Sequence, residues 1–326
     1  MAVNIKKCYK ATINKHGDDM ALLAKALGQS DLEDLCKKYA EPIGESEESK
    51  CERAERMIRG AIEQSSVFDA HKLAQIRIFA QGSYRNSTNI PQDSDVDVAV
   101  VYDGTYFYDY SFAPMLALTQ VTTPAAYAFD QYRIDVVRSL TAVFGQELKV
   151  GNKSLKISGN SGRISADAVP SFQFRRYIPD GRWYQGTRFI SRDGKLITNW
   201  PESQHVQNIE KNKATGFRYK KVVRILKSLR PHIADNGYST VGKTPSFLIE
   251  CLVYNAPNDD FQNPSLLEDC KAVLQSLFLM LNDAQSAVTM LEPSRLKLLF
   301  SGEQSWLAQD AQFFVLCAGK ELGLWE

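Results

Sequence analysis

The chain has 326 residues, 44% of them hydrophobic and 24% charged, an ordinary globular composition long enough for two lobes and a cleft. Thirty-nine basic residues against 38 acidic ones leave a formal net charge of +1, so there is no global basic field of the kind that marks many nucleic-acid-binding domains. Six cysteines without a C-x-x-C pair and only four histidines exclude zinc-ligand spacing, and no run of about eighteen apolar residues offers a membrane span, so the expectation is a soluble cytoplasmic protein with free thiols.

Apolar spacing at Leu22, Leu23, Leu27, Leu32 and Leu35, interrupted at Gly28-Gln29-Ser30, predicts two short helices over residues 18–40. A longer helix follows over 48–64, with Ala54, Met57, Ile58 and Ala61 on one stripe. Ile76 to Ala80 reads as a strand entering a turn where Gly82 lets the backbone approach a ligand and Ser83 offers N–H and hydroxyl donors. Twelve residues on, Asp95-Val96-Asp97 heads an apolar β-branched run. In an extended strand Asp95 and Asp97 project together, roughly 6.5 to 7 Å apart, while Val96, Val98 and Val100 project into a core. Two carboxylates at that separation suit a pair of hard divalent ions and a phosphate chain. Gly-Ser and Asp-x-Asp are each common, and a surface hairpin with solvated aspartates is the alternative for either alone.

Tyr102 to Tyr110 is aromatic and turn-rich, and Thr123-Pro124 opens a helix through about Phe144, in which Asp130 and Asp135 read as solvated. From Leu148 to Trp200 the period changes to two, which predicts the rest of a sheet. Asp167 lies in one of these strands among small and apolar residues, and Pro170 suggests a sheet edge or strand end. It is the best third carboxylate for a two-metal site; Asp103, Asp109 and Asp193 rank lower because they sit in turn-like sequence. After Pro201 the pattern is helical, with segments near 212–230, 244–255, 264–281, 283–291 and 306–321. In the first of these, Val222, Val223, Leu226 and Leu229 form an apolar stripe and Lys220, Lys221, Arg224 and Lys227 lie on or beside the other face, either solvated or facing a triphosphate. Ser246 and Phe247, at a helix start after Pro245, could donate to a phosphate and stack on a base; packed core is the other reading of Phe247.

Gly82-Ser83, Asp95-x-Asp97 and Asp167, in this order, resemble the polymerase-β-like nucleotidyltransferases. More narrowly, GSYRNSTNIPQDSDVDVAVVY, ADAVPSFQFRRY, ITNWP and NKATGFRYKKVVRILKSLR are similar to the bacterial CD-NTases, relatives of cGAS, and nearest to their clade E. The resemblance runs from about residue 35 to the C-terminus, and departs where the third motif reads DAVP instead of DVVP.

The resemblance implies an α+β fold: a polymerase-β-like core over 1–200, with a mixed sheet, flanking helices and the N-terminal helices, and a C-terminal helical lobe over 201–326, the active-site cleft lying between. It implies a cyclic dinucleotide synthase that joins two nucleoside triphosphates, ATP and UTP foremost, with two Mg²⁺ or Mn²⁺ ions and release of pyrophosphate. The diffusible product would reach a downstream effector in anti-phage (CBASS) signalling, with no obligatory nucleic acid and no membrane. Asp95, Asp97 and Asp167 match the metal ligands, and Asp167 the group that activates the acceptor 3′-hydroxyl. Gln81, Gly82 and Ser83 match the turn around the donor phosphates, Lys221 a lysine on the phosphates, and Ser246-Phe247 a phosphate-contacting and base-stacking pair. Asn199, in Thr198-Asn199-Trp200-Pro201, matches an acceptor-pocket asparagine associated with uridine, because an amide both donates and accepts; a turn asparagine is the other reading. A product containing UMP is the expectation, with a cyclic purine di- or trinucleotide, transfer to an external acceptor, or a catalytically silent nucleotide sensor as alternatives.

Overall fold

The structure, a computed structural model, describes residues 23–91, 95–118, 125, 127–238, 240–301, 304 and 306–325. The helix start expected at Thr123-Pro124, Leu22 and Cys8 lie outside the described residues. In chain order the main elements are α1 (Gln29–Ala40), α2 (Glu45–Glu63), β1 (Ile76–Gln81), α3 (Gly82–Asn86), β2 (Val96–Asp109), α4 (Phe129–Phe144), β3 (Leu148–Val150), β4 (Leu155–Ile157), β5 (Ala166–Tyr177), β6 (Trp183–Ile190) and β7 (Leu196–Asn199). There follow α5 (Pro201–Ala214), α6 (Tyr219–Asp235), α7 (Ser246–Asn255), α8 (Leu266–Asn282), α9 (Ala284–Thr289) and α10 (Ala308–Glu321). The chain divides into two compact units, Ile43–His205, and Met1–Pro42 with Val206–Glu326.

The first unit is built on a mixed sheet ordered β1-β2-β5-β4-β3, with β6 paired to β5 and β7 to β6. Among the described residues, β2 and β5 are the one parallel pair. Period-two alternation drives Val96, Val98, Val100 and Tyr102 of β2 into a core with Ala54, Ile58 and Ala61 of α2 and Tyr132, Val136 and Leu140 of α4. Each large apolar side chain fully buried there contributes about 1.5–3 kcal/mol. The Tyr132 hydroxyl, inside that core, donates to the Val100 carbonyl at 2.7 Å and fixes α4 on the sheet.

Three expectations for this unit need correction. Tyr102 to Tyr110 is mostly strand, because β5 supplies partners for Tyr106 to Asp109 after a register shift that absorbs the turn-like residues. Pro170 lies inside a central strand; β4 pairs β5 at Ala166–Ala168 and β6 takes over from Phe172, so the proline falls in the gap where its missing N–H deprives neither strand. Asp135 is buried, not solvated, and accepts from the Tyr127 hydroxyl at 2.6 Å and from Gln131 at 2.9 Å.

In the second unit α6 is packed by α1, α7, α8 and α10. Leu32, Cys36 and Ala40 of α1 share its core with Val222, Leu226, Leu252 and Leu274, which is why residues 23–42 group here although the sequence reading puts the N-terminal helices in the sheet lobe. Arg224 is buried and its Nε donates to the Ala40 carbonyl at 2.7 Å, capping the end of α1. Lys227 is fully buried and pairs with Glu250 at 3.1 Å; Glu250 also accepts from Asn208 at 3.3 Å, and Asn208 accepts from the Tyr219 hydroxyl at 2.6 Å. Two of the basic residues expected on the polar face of this helix, Arg224 and Lys227, are thus internal ties, while Lys221 is exposed. Cys36, Cys51, Cys251, Cys270 and Cys317 are free thiols, all buried.

Candidate active site

Gln81, the last residue of β1, pairs with Asp97 on β2, and Asp97 pairs with Asp167 on the parallel β5. Cross-strand partners point to the same face, so the two carboxylates stand side by side with the β1–α3 turn next to them. Gly82 opens that turn with a φ of +67°, and a Cβ on it would lie 2.6 Å from the Asp97 Oδ2. Both the backbone conformation and the close approach demand glycine. Ser83 follows in the first turn of α3, half-buried, its carbonyl accepting from the Thr88 N–H at 3.0 Å. Asp95 is exposed, one residue before β2.

Burial, then the charges of Asp167 and Asp95, push the Asp97 carboxyl up to about 7. That repulsion is what a divalent cation would relieve, and the donors are all hard oxygens, so the three aspartates suit such an ion. Among the described residues, no three His, Cys, Asp or Glu are already gathered as a metal cage. The lower-ranked carboxylates are engaged elsewhere: Asp103 pairs with Arg77, Asp109 with Arg176 at 3.0 Å, and Asp193 with Lys195 at 3.6 Å.

Asn199 ends β7, half-buried, opposite Thr187 of β6, which in turn stands opposite Gln173 of β5. Gly186 lets this corner close: a Cβ there would lie 2.7 Å from the Asn199 carbonyl oxygen and 2.8 Å from the buried Trp200 ring. Counting by twos from Asp167 to Gln173 puts Asn199 on the sheet face of Asp97 and Asp167. Gln173 of β5 and Thr187 of β6, both buried polar residues, were not singled out from the sequence, where Gln173 follows the regular alternation of Ser171-Phe172-Gln173-Phe174-Arg175 and gives no separate signal. In the other unit, Lys221 is exposed in the first turn of α6, and Ser246 is the first residue of α7. Phe247 is half-buried against that unit's core, its ring 6.3 Å from Trp306 in a T-shaped contact. A basin of about 540 Å³ lies along α4, lined by Arg133, Ile134, Arg138 and Arg192 among others. Because α4 packs on the sheet face away from Asp97 and Asp167, this basin is not the carboxylate site.

The profile of the nucleotidyltransferase domain matches residues 65–146, which span the Gly-Ser turn and the Asp-x-Asp strand, so the sheet unit is a nucleotidyltransferase domain. That of the cGAS/DncV-like nucleotidyltransferase C-terminal helical domain matches residues 207–323. The chain is 35% identical over 293 residues to the cyclic dipyrimidine nucleotide synthase CdnE of Legionella pneumophila, covering 88% of this chain and 97% of that one. It is 32% identical over 289 residues to the cyclic dipurine nucleotide synthase of Elizabethkingia meningoseptica, covering 87% and 96%. The solved structure of the E. meningoseptica CdnE cyclic dinucleotide synthase with GTP and Apcpp superposes with a TM-score of 0.74 at 32% identity over 89% of this chain and 98% of that one. The chain belongs to the CD-NTase family of nucleotidyltransferases, in the CdnE branch of cyclic dinucleotide synthases. Nucleotidyltransferases of this kind use divalent metal ions. Among the described residues, no helix is long and apolar enough to cross a membrane.

Proposed function

We propose that the protein joins two nucleoside triphosphates, one of them UTP, into a cyclic dinucleotide in the cytoplasm, and that the product signals phage infection to a downstream effector. The observation that carries the reading is the register that sets Asp97 beside Asp167 with Gly82 against the Asp97 carboxylate. In each of two rounds the acceptor 3′-hydroxyl gives its proton to the Asp167 carboxylate while its oxygen bonds to the α-phosphorus of the donor. The bond from that phosphorus to the bridging oxygen breaks, and pyrophosphate leaves; the second round closes the ring. Two Mg²⁺ or Mn²⁺ ions, when held by Asp95, Asp97 and Asp167, supply charge neutralisation for the phosphates and lower the pKa of the attacking hydroxyl. The Gln81-Gly82-Ser83 turn holds the donor phosphates, Lys221 and Ser246 add contacts to them, Phe247 takes the donor base, and Asn199 selects the acceptor base.

The base composition cannot be carried over from overall similarity. Relatives at 35% and 32% identity are named for dipyrimidine and dipurine products, and a cyclic UMP-AMP synthase of Rhodothermus marinus is 30% identical over 190 residues. Pocket residues are taken to decide it, and Asn199, whose amide both donates and accepts, supports the uridine reading from its place opposite Thr187. Purified protein incubated with all four NTPs and Mg²⁺ or Mn²⁺ is expected to yield a cyclic dinucleotide containing UMP, by mass spectrometry, that disappears when UTP is left out. A cyclic product made without UTP overturns the uridine assignment; no cyclic product without an added acceptor overturns the synthase.

A further inference from the structure

Gln173, Thr187 and Asn199 are direct partners across β5, β6 and β7, so they form one row of polar side chains on a single sheet face. Strands lie about 4.8 Å apart, and the row therefore spans about 10 Å, enough to run under a nucleobase. Polar side chains are an unusual choice for such positions, since Gln173 is only 7% exposed and Thr187 only 3%. The Gln173 amide is also oriented. Its Oε1 accepts from the Arg175 Nε at 2.8 Å, and the Arg175 guanidinium is itself held 3.9 Å from the Tyr106 ring centroid and 4.8 Å from that of Trp183. With one of the oxygen's two lone pairs engaged, the amide is held in this orientation and its N–H donors remain available. Among the described residues nothing accepts from its Nε2.

We propose that Gln173 is a second base-selecting residue, a fixed donor that favours a keto base over an amino base, with Arg175 as the positioning residue that keeps the amide from flipping. Uracil offers carbonyl oxygens at both O2 and O4, whereas cytosine has an amino donor in place of O4 and adenine has no exocyclic carbonyl. A donor facing an amino group meets a second donor, and the hydrogen bond is lost on both sides. The inference rests on the cyclic dinucleotide reading above and adds a second residue to the row that ends at Asn199.

The test is the base composition of the product made by full-length protein from equimolar NTPs, read by mass spectrometry for the wild type, Gln173→Leu, Gln173→Glu and Arg175→Leu. Gln173→Leu is expected to lower uridine incorporation relative to cytidine and adenosine by about tenfold or more. Gln173→Glu replaces the donor with an acceptor and is expected to move the ratio further the same way, and Arg175→Leu to move it less. The KM for UTP should rise while kcat at saturation changes little, a split that a packing defect does not produce. An unchanged base ratio in a folded Gln173 variant overturns the proposal, as does loss of all synthesis by both Gln173 variants with thermal midpoints intact. If neither Gln173 variant folds, Arg175→Leu decides between the outcomes: a shifted ratio supports the proposal and an unchanged one overturns it. Absence of any cyclic product from the wild type instead overturns the synthase reading.

Discussion

Asp97 is a carboxylate that the fold holds under stress. Its pKa is pushed to about 7 from an ordinary 3.8, so the folded state binds a proton between those pH values that the unfolded state releases. A group raised in this way contributes its stabilisation fully below the unfolded pKa and loses it as pH rises through about 7. Without divalent cations, the protein is therefore expected to lose stability from pH 5 to pH 8, and Asp97→Asn, which cannot ionise, to escape that loss. In chelator, Asp97→Asn should melt above the wild type at pH 8, by on the order of 1–4 kcal/mol, with the gap shrinking at pH 5. Mg²⁺ should then raise the wild-type midpoint and leave the variant where it was. An equal gap at both pH values would sink this account. Asp97 and the glycine against it could be singled out in the sequence because strand alternation and turn chemistry are local properties, whereas the partnership of Asp97 with Asp167 joins strands some seventy residues apart. The neighbours of Asn199 across the sheet were no more legible. Gln173 meets Thr187, and Thr187 meets Asn199, through strand pairings that no spacing along the chain encodes.

At the scale of elements, helix α6 shows how periodicity misleads. Val222, Val223, Leu226 and Leu229 do form a buried stripe, yet Arg224 and Lys227 are buried as well, because α6 is packed by helices on several sides. Amphipathic spacing assumes that every charge lies on one wet face, and here Lys221 does while Arg224 and Lys227 do not. The two buried charges survive by being paired: Arg224 on the end of α1, and Lys227 on Glu250 of α7. Breaking such a pair costs more than never having had it, since the remaining charge is stranded in a low-dielectric interior. Lys227→Met is expected to destabilise the helical unit by about 3–5 kcal/mol. Adding Glu250→Gln to that variant should recover much of the loss, because a neutral amide can still accept from Asn208 without carrying an unpaired charge. Thermal unfolding of the two variants checks this, and equal midpoints would show that the ion pair does not hold α6 to α7. Pro170 is the counterpart in the sheet: sequence rules place a proline at an edge, and the changeover from β4 to β6 creates a local edge in the middle of β5.

For the whole molecule, the sequence changes from period two to helical spacing after Trp200, and the structure divides the chain between His205 and Val206, inside α5. The assignment of residues 23–42 was not readable in the sequence, because Leu32, Cys36 and Ala40 find their partners some two hundred residues downstream. Charge is a whole-molecule property too, and it bears on how the enzyme is switched on. Binding along a duplex neutralises several phosphates, and each such contact steepens the fall of affinity with salt. A chain with 39 basic and 38 acidic residues has little surplus to spend on this. Many of its arginines are already committed, Arg85 to Glu202 at 2.8 Å, Arg163 to Glu147 at 2.5 Å and Arg218 to Asp269 at 2.8 Å. Nuclease-treated protein is therefore expected to make its product from NTPs and divalent cation alone, and added double-stranded DNA or RNA should change the rate by less than about twofold at physiological salt. A strict requirement for nucleic acid, lost as salt is raised, would mean that a local basic surface does what the net charge does not.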